Sequence, residues 1–356
     1  MVNKPLSQIA YWILTLVLCV FFLVFVEGAS SILVAINEAI EGSETIEMTK
    51  YDAKLGWTGI PSAFSPDQYG PGIYVRTNAR GFRNESETQE STPQGKLRII
   101  CTGDSNTYGQ GVSNDQTWCH LLSILDPRID VINLGIPGYG IDQMYLRYLQ
   151  EGMFLEHEVH IFAFISGDLD RMGHDNKNGF GKPKLRLVDE RLEATGQPVP
   201  KLKWDISRAV ARANLRAVDV GQRVIRWFAG PLRYRTTADP QLKVLAPAVF
   251  QAIQRIGEQQ GVLPFFVFLP VALDIPSDRH WYSWLKDSET DLGVPLIDLT
   301  PDLRAVSARD AALFFIPENA PAGGHYSEAG NKWVAEMLYA RLLSLSAVRK
   351  RLDELP

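Results

Sequence analysis

The sequence predicts an open, doubly wound α/β sheet preceded by an N-terminal transmembrane helix. Three observations carry that prediction. Five apolar runs, LRIICT (97–102), IDVINL (129–134), VHIFAFI (159–165), PFFVFLP (264–270) and VPLIDL (294–299), are near-continuous rather than alternating, as expected of strands buried on both faces of a parallel sheet. Helical patterns at about 115–126, 141–152, 245–260 and 328–346 separate them, which is the strand–helix rhythm of such a sheet. Ahead of all this lies IAYWILTLVLCVFFLVFV, from Ile9 to Val26, without a charge. The chain has 356 residues, 46% hydrophobic and 22% charged, a globular composition with room for one large domain or two small ones. Its formal net charge of -5 excludes both a basic nucleic-acid binder and an acidic disordered chain.

The N-terminal run is long enough to cross the ~30 Å hydrocarbon core at about 1.5 Å per residue. Lys4 precedes it, whereas Glu27, Glu38, Glu41 and Glu44 follow it, so residues 1–8 are placed in the cytoplasm and everything after residue 26 outside, in the periplasm or extracellular space. A cleaved signal peptide is the rival, because VEGAS offers small residues near a cut. The run exceeds the usual signal core of about 7–15 residues, which favours a retained anchor over 9–26. Residues 27–95 read as a juxtamembrane helix (SSILVAINEAIEG) followed by an extended arm rich in Gly, Pro, Asn and Ser. Residues 96–356 read as the α/β domain, interrupted at about 170–240. Within the interruption KPKLRLVDERLEATGQPVP predicts a hairpin. The segment ISRAVARANLRAVDVGQRVIRWFAG predicts an amphipathic helix whose Arg208, Arg212, Arg216, Arg223 and Arg226 form a solvated basic face, with a lipid or polysaccharide contact as the rival. Cys19 is read as lipid-facing, and Cys101 and Cys119 as small core hydrophobes rather than a disulfide pair.

The chemistry centres on TGDSNTYGQGV, Thr102 to Val112. A serine after a tight, glycine-containing strand-to-helix turn exposes its hydroxyl at the sheet edge, beside backbone N–H groups able to hold an oxyanion. Gly-Asp-Ser alone is also common turn composition. Ser105, Gly138 and Asp168 each follow a predicted strand and so share one edge. Among the histidines, His120 and His157 lie in helical or linker patterns, His160 enters a strand and His280 sits in a charged segment. His325 follows Gly323 and Gly324 in a loop, ahead of SEAGN, where Ser327 caps the last helix. That placement suits a general base for a serine nucleophile.

GDSNTYGQGV resembles the first sequence block of the SGNH, or GDSL, hydrolase superfamily; NLGIPGYGIDQ resembles its second block and GGHYSEAGN its last, over residues 97–345. The resemblance implies a flavodoxin-like, three-layer α/β/α fold with about five parallel strands. It also implies hydrolysis or transfer of ester-linked acyl groups without cofactor or metal. Ser105 matches the nucleophile, whose N–H also serves the oxyanion hole, Gly138 matches the second donor, and His325 the base. Two positions depart from the family pattern. Gly167, in ISGDLDR, stands where an oxyanion-hole Asn is expected, with Asp168 matching the following acidic position; Asn106 or another group must then substitute. Ala322 stands where an Asp three residues before the histidine is expected. This leaves either a Ser–His dyad oriented by a backbone carbonyl or an acid from elsewhere, Glu318 or Asp298. Asp104 is a further supporting candidate. Asp168, Asp170, His174 and Asp175 offer a rival metal site, but helix capping and ion pairing are preferred and no metal is expected. The arm segment YVRTNARGFRN resembles segments ahead of the Gly-Asp-Ser block in exported SGNH-like proteins, with Asn78, Gly81, Phe82 and Arg83 docking the arm and a ligand role open for Arg83.

The expected activity is a serine esterase or O-acyltransferase on an acylated extracytoplasmic glycan, with the bilayer a partner through residues 9–26. The alternatives are a degenerate domain binding a glycan or another membrane protein, and a phospholipid esterase taking a lipid substrate. No nucleic-acid partner is expected.

Overall fold

The computed structural model describes residues 4–40, 48–177, 180–200, 240–274, 282, 284–285, 294, 296–317 and 320–355. The chain divides into two compact units, one containing the N-terminal helix and the other residues 46–201 and 236–356. In the first, α1 runs from Lys4 to Ile40. Its segment Ala10–Gly28 has a mean hydropathy of 2.4 and none of it is buried. Such a helix, apolar on every face and uncovered, meets the length and composition needed to span a bilayer. The basic helix expected around Arg208–Arg226, together with His280 and Glu318, lies outside the described residues.

The second unit begins with the arm. Two small antiparallel ladders, β1 (Thr49–Asp52) with β2 (Gly56–Gly59) and β3 (Phe64–Ser65) with β4 (Val75–Arg76), carry it toward the sheet. The strand β5 (Leu97–Thr102) leads through the one-turn helix α2 (Ser105–Tyr108) to α3 (Trp118–Leu125), β6 (Ile129–Asn133) and α4 (Ile141–Gln150). Then come β7 (Val159–Phe164) and α5 (Ser166–Met172), followed by two hairpins, β8 (Asn176–Lys177) with β9 (Phe180–Gly181) and β10 (Lys184–Val188) with β11 (Arg191–Thr195). The chain resumes with α6 (Pro240–Gln260), β12 (Leu263–Phe268), β13 (Leu296–Asp298), α7 (Thr300–Ala305), α8 (Ala308–Leu313), α9 (Glu328–Ser344) and α10 (Ser346–Asp353).

Five strands pair in parallel in the order β13-β12-β7-β5-β6. The first sheet strand therefore lies inside, the second on one side of it and the rest on the other, so successive crossovers diverge between β5 and β7. Ligands collect at such a switch point, outside the carboxyl ends of the strands.

The period-two geometry of a strand explains the three layers. On β7, Ile161 and Ala163 enter a core shared with Trp118 of α3 and Val334 of α9, whereas Phe162 and Phe164 enter the opposite core with Val249 and Phe250 of α6. There Phe250 packs 5.2 Å from Phe164 and 4.9 Å from Phe266, measured between ring centroids. The central strands β5 and β7 are buried along their whole length, which is why their sequences lack polar alternation. Cys101 and Cys119 are buried free thiols in the first of these cores; burial, with Cys101 nearby, pushes the Cys119 thiol well up, so Cys119 is not a reactive thiolate.

A buried ion pair ties the β8–β9 hairpin to α4. Lys182, 1% exposed, pairs with Asp142, which is fully buried, and also donates to the carbonyls of Arg171 (3.2 Å) and His174 (3.0 Å). Burial pushes the Asp142 carboxyl up to about 6, against the pull of Lys182. The folded state thus holds this proton more tightly than the unfolded chain. The group's contribution is greatest below about pH 4 and is lost as pH rises toward 6. Lys182→Met leaves the carboxyl buried without its cation. It is expected to lower stability by about 3–5 kcal/mol at neutral pH, and by less at pH 4 where Asp142 is neutral. Urea unfolding of the variant and the unmodified protein at both pH values measures this.

Candidate active site

The turn that carries Ser105 is set by sterics first. A Cβ on Gly103 would collide with the Thr107 side chain and crowd the Ala163 carbonyl, so only glycine lets β5 turn sharply into α2. Asp104 then caps α2, its carboxylate accepting from the Asn106 N–H at 2.8 Å. Ser105 is the first residue of the helix and is 5% exposed at the switch point. A four-residue helix cannot hold its own carbonyls, and the arm supplies the missing donors. Arg83 Nη1 donates to the carbonyls of Tyr108 (2.8 Å) and Gly109 (2.6 Å), Nη2 to that of Val112 (2.5 Å), and Nε to the Asn114 side chain (3.0 Å). Its neighbour Phe82, 1% exposed, packs on Ile100 and Ile132. The Asn78 side-chain oxygen accepts the N–H groups of Arg80 and Phe82, shaping the turn through Gly81. Arg83 is 3% exposed with its guanidinium committed to these four acceptors.

The imidazole that faces Ser105 arrives from the far end of the chain. His325 Nε2 lies 2.9 Å from Ser105 Oγ, and Nδ1 lies 2.9 Å from the Ala322 carbonyl oxygen. A carbonyl only accepts, so Nδ1 carries the hydrogen and Nε2 is left as the acceptor for the serine hydroxyl. Ala322 adopts a φ of 59°, in the left-handed region, within a turn closed by Gly323 N–H to Ala320 O (3.0 Å) and Gly324 N–H to Ile316 O (2.9 Å). Among the described residues no carboxylate takes the place of the acid expected behind the histidine. Asp298, offered as a substitute, instead accepts the Thr300 N–H at 2.8 Å at the head of α7, because a strand-end Asp is better placed to cap the next helix.

Behind Ser105 stands a charge cluster. Asp104 Oδ2 is 3.3 Å from Ser105 Oγ and 3.2 Å from Arg171 Nη1; the same nitrogen donates to Asp168 and to the Tyr139 carbonyl at 3.0 Å. Both carboxylates have no solvent exposure. Burial and the nearby Asp104 push the Asp168 carboxyl well up despite Arg171. Although burial opposes it, Asp168 and Asp104 hold the Arg171 guanidinium more firmly protonated than usual. Asn106, proposed as a replacement donor for the oxyanion, turns its amide toward Asp104 (3.3 and 3.4 Å) and its backbone oxygen accepts from the Trp118 indole at 3.1 Å. Gly138 has a φ of 80°, and a Cβ there would lie 3.5 Å from Lys177 Cγ and 3.6 Å from Trp57. Lys177 and Trp57 thus flank the second-block glycine. Burial, then Arg171, lowers the Lys177 ammonium from its ordinary value.

Three other described histidines serve other ends. His157 and His160 are buried around Tyr148, with His160 stacked on its ring at 3.8 Å, and burial lowers both imidazoles. His174 bonds the Asp170 carbonyl at 2.9 Å on the surface. Among the described residues no group of three His, Cys, Asp or Glu side chains is arranged to hold a metal ion. Arg171 and Lys177 were not singled out by motif as members of this site, although Arg171 lies one helical turn beyond Gly167, a spacing visible in the sequence.

No family model matches the chain, and no curated protein matches it. Among solved structures, similar ones include an acetyl xylan esterase, AlAXEase, with 15% identity, a TM-score of 0.40, and coverage of 69% of this chain and 100% of that one. A lipase/acylhydrolase from Enterococcus faecalis has 13% identity, a TM-score of 0.38, and coverage of 70% and 96%. A member of the lipolytic protein G-D-S-L family from Veillonella parvula has 13% identity, a TM-score of 0.37, and coverage of 69% and 100%.

Arg83→Met removes four donors from the nucleophile loop while keeping bulk. The expected result is a loss on the order of 3 kcal/mol, from hydrogen bonds by a charged group to buried acceptors, read as a lowered urea midpoint. Ester turnover should fall together with it because α2 loses its cap.

Proposed function

We propose that the chain is an SGNH-type serine esterase or O-acyltransferase, acting on ester-linked acyl groups of an extracytoplasmic glycan. The observation that carries the reading is the Ser105 Oγ to His325 Nε2 contact of 2.9 Å, with the imidazole oriented from behind by Ala322. A serine hydroxyl is a weak nucleophile until a base takes its proton, and this is the geometry that transfer requires. His325 accepts the Ser105 proton as Oγ attacks the acyl carbonyl, then returns it to the departing alcohol oxygen. Water, or the hydroxyl of an acceptor, repeats the cycle on the acyl-Ser105 ester. The N–H groups of Ser105 and Gly138 hold the oxyanion in this reading.

The glycan target and the position outside the inner membrane are supported by α1, with Lys4 before it and acidic residues after it. An anchored enzyme at that surface meets acylated polysaccharide and lipid headgroups alike. Turnover of an acetylated polysaccharide against release of fatty acid from vesicles separates the two substrates.

Ser105→Ala is expected to lower the hydrolysis of short-chain nitrophenyl esters by at least about 10³-fold, and to abolish labelling by a fluorophosphonate. Equal turnover by the variant would sink the reading, and a folded protein that never labels would favour the degenerate, binding-only domain. In cell fractionation, the full chain should stay with the membrane pellet through alkaline carbonate, and external protease should reach the α/β domain in spheroplasts. Release of an intact domain shortened by the first 25–30 residues would instead identify α1 as a cleaved signal peptide.

A further inference from the structure

One place in the site lacks the donor that acyl transfer asks for, and a cation stands beside it. Gly167, in the first turn of α5, has no side chain where an amide donor would sit. A Cβ built there would lie 3.6 Å from Arg171 Nη2 and 3.9 Å from Arg171 Cζ. Arg171 is four residues further along the same helix, so its side chain reaches back over the Gly167 position. Its two terminal nitrogens have different surroundings. Nη1 is bound to Asp104, Asp168 and the carbonyl of Tyr139, the residue after Gly138. Nη2 has no hydrogen-bond partner among the described residues, and the side chain keeps 21% of its surface open. The carboxylate oxygen that holds Nη1 at 3.2 Å is itself 3.3 Å from Ser105 Oγ, so the guanidinium is anchored one carboxylate away from the nucleophile.

We infer that Arg171 Nη2 is the third oxyanion donor of this site, taking the place left empty at Gly167. The inference rests on the acyl-transfer reading. As Ser105 Oγ bonds to the acyl carbon and its proton passes to His325 Nε2, the carbonyl π pair moves onto oxygen. That oxyanion accepts hydrogen bonds from the Ser105 and Gly138 N–H groups and from Arg171 Nη2–H. Arg171 keeps its proton throughout, as a guanidinium does at any working pH. On collapse the alcohol oxygen leaves with the proton held by His325. A charge-assisted donor is roughly twice as strong as a neutral one, and the two buried carboxylates hold the fork in place before the charge develops, which is what makes such a donor effective.

The test compares Arg171→Gln, Arg171→Lys and the double variant Arg171→Gln with Gly167→Asn, with Ser105→Ala as the blank. The readouts are kcat and KM on nitrophenyl acetate, the affinity of a short alkyl boronate as tetrahedral mimic, and the thermal midpoint. Arg171→Gln is expected to lower kcat by about 10²–10³-fold with KM within about threefold, and to weaken the boronate in parallel. Adding Asn at 167 should restore at least tenfold of kcat, since it supplies a neutral donor from the empty position, whereas a purely structural role for Arg171 gives no such recovery. If Arg171→Gln fails to fold, Arg171→Lys keeps a cation between the carboxylates but lacks Nη2, and its kcat should fall equally. Wild-type kcat in a folded Arg171→Gln or Arg171→Lys, or a double variant no better than the single, overturns the inference. If the unmodified protein itself turns over no faster than Ser105→Ala, the acyl-transfer reading and this role fall together; if it does turn over faster, only the role of Arg171 is at stake.

Discussion

The carboxylate of Asp104, with no exposure to solvent, is the constraint around which the site is arranged. Removing a carboxylate from water costs several kcal/mol unless its lone pairs are met. Here they are met by the Asn106 N–H, the Asn106 side-chain amide and Arg171. Meeting them fixes three loops at once. The helix α2 starts where Asp104 caps it, α5 is held at the distance Arg171 can span, and the loop between β6 and α4 is drawn in through the Tyr139 carbonyl. The switch point of the sheet brings these loops near one another; the carboxylate and guanidinium set their spacing. A second buried carboxylate, Asp168, on the same guanidinium leaves one cation between two acids, and the upward push on Asp168 is the consequence.

The nucleophile turn also depends on a segment far outside the sheet. One turn of helix has no cooperative stability of its own, so the carbonyls that end α2 must be satisfied from elsewhere. Arg83 does this from the arm, and Phe82 beside it covers Ile100 and Ile132. The arm is thus part of the α/β unit physically, not a tether to it. Lys182 plays a similar part on the other side, joining the β8–β9 hairpin to Asp142 and to the carbonyl of Arg171.

The features legible in the sequence are those that the backbone period or a local turn encodes. Five continuous apolar runs gave five parallel strands because burial on both faces leaves no room for polar alternation, and Gly103 beside Ser105 marked the tight turn because only glycine fits there. The pairing of Ser105 with His325 was reachable because a glycine-rich loop and a nearby helix cap frame the histidine. What escaped is what packing decides. A backbone acceptor such as Ala322 O leaves no side-chain mark, so carboxylates were sought in its place, and Asp298 was already spent on Thr300. Arg171 looks like a surface cation in one dimension; burial against two carboxylates and a carbonyl separates it from the rest.

The two departures from the family pattern act in the same electrical direction. An aspartate behind the histidine does two things, fixing the tautomer and stabilising the imidazolium that forms. The Ala322 carbonyl retains the first, since it holds the hydrogen on Nδ1 at 2.9 Å, but it brings a dipole where an anion would stand. The turn also holds Ala322 in a left-handed conformation that costs roughly 1 kcal/mol, which indicates that the carbonyl's aim is maintained by the loop rather than relaxed. At the oxyanion side, a guanidinium stands beside the position of a neutral amide. One replacement removes a negative charge near the imidazolium; the other adds a positive charge near the oxyanion. Under the proposed acyl-transfer reading, a site altered in both ways would stabilise the proton carrier less and the tetrahedral oxygen more. The hold of Asp104 and Asp168 on Arg171 would then take on a burden that in the triad pattern falls on the acid behind the histidine.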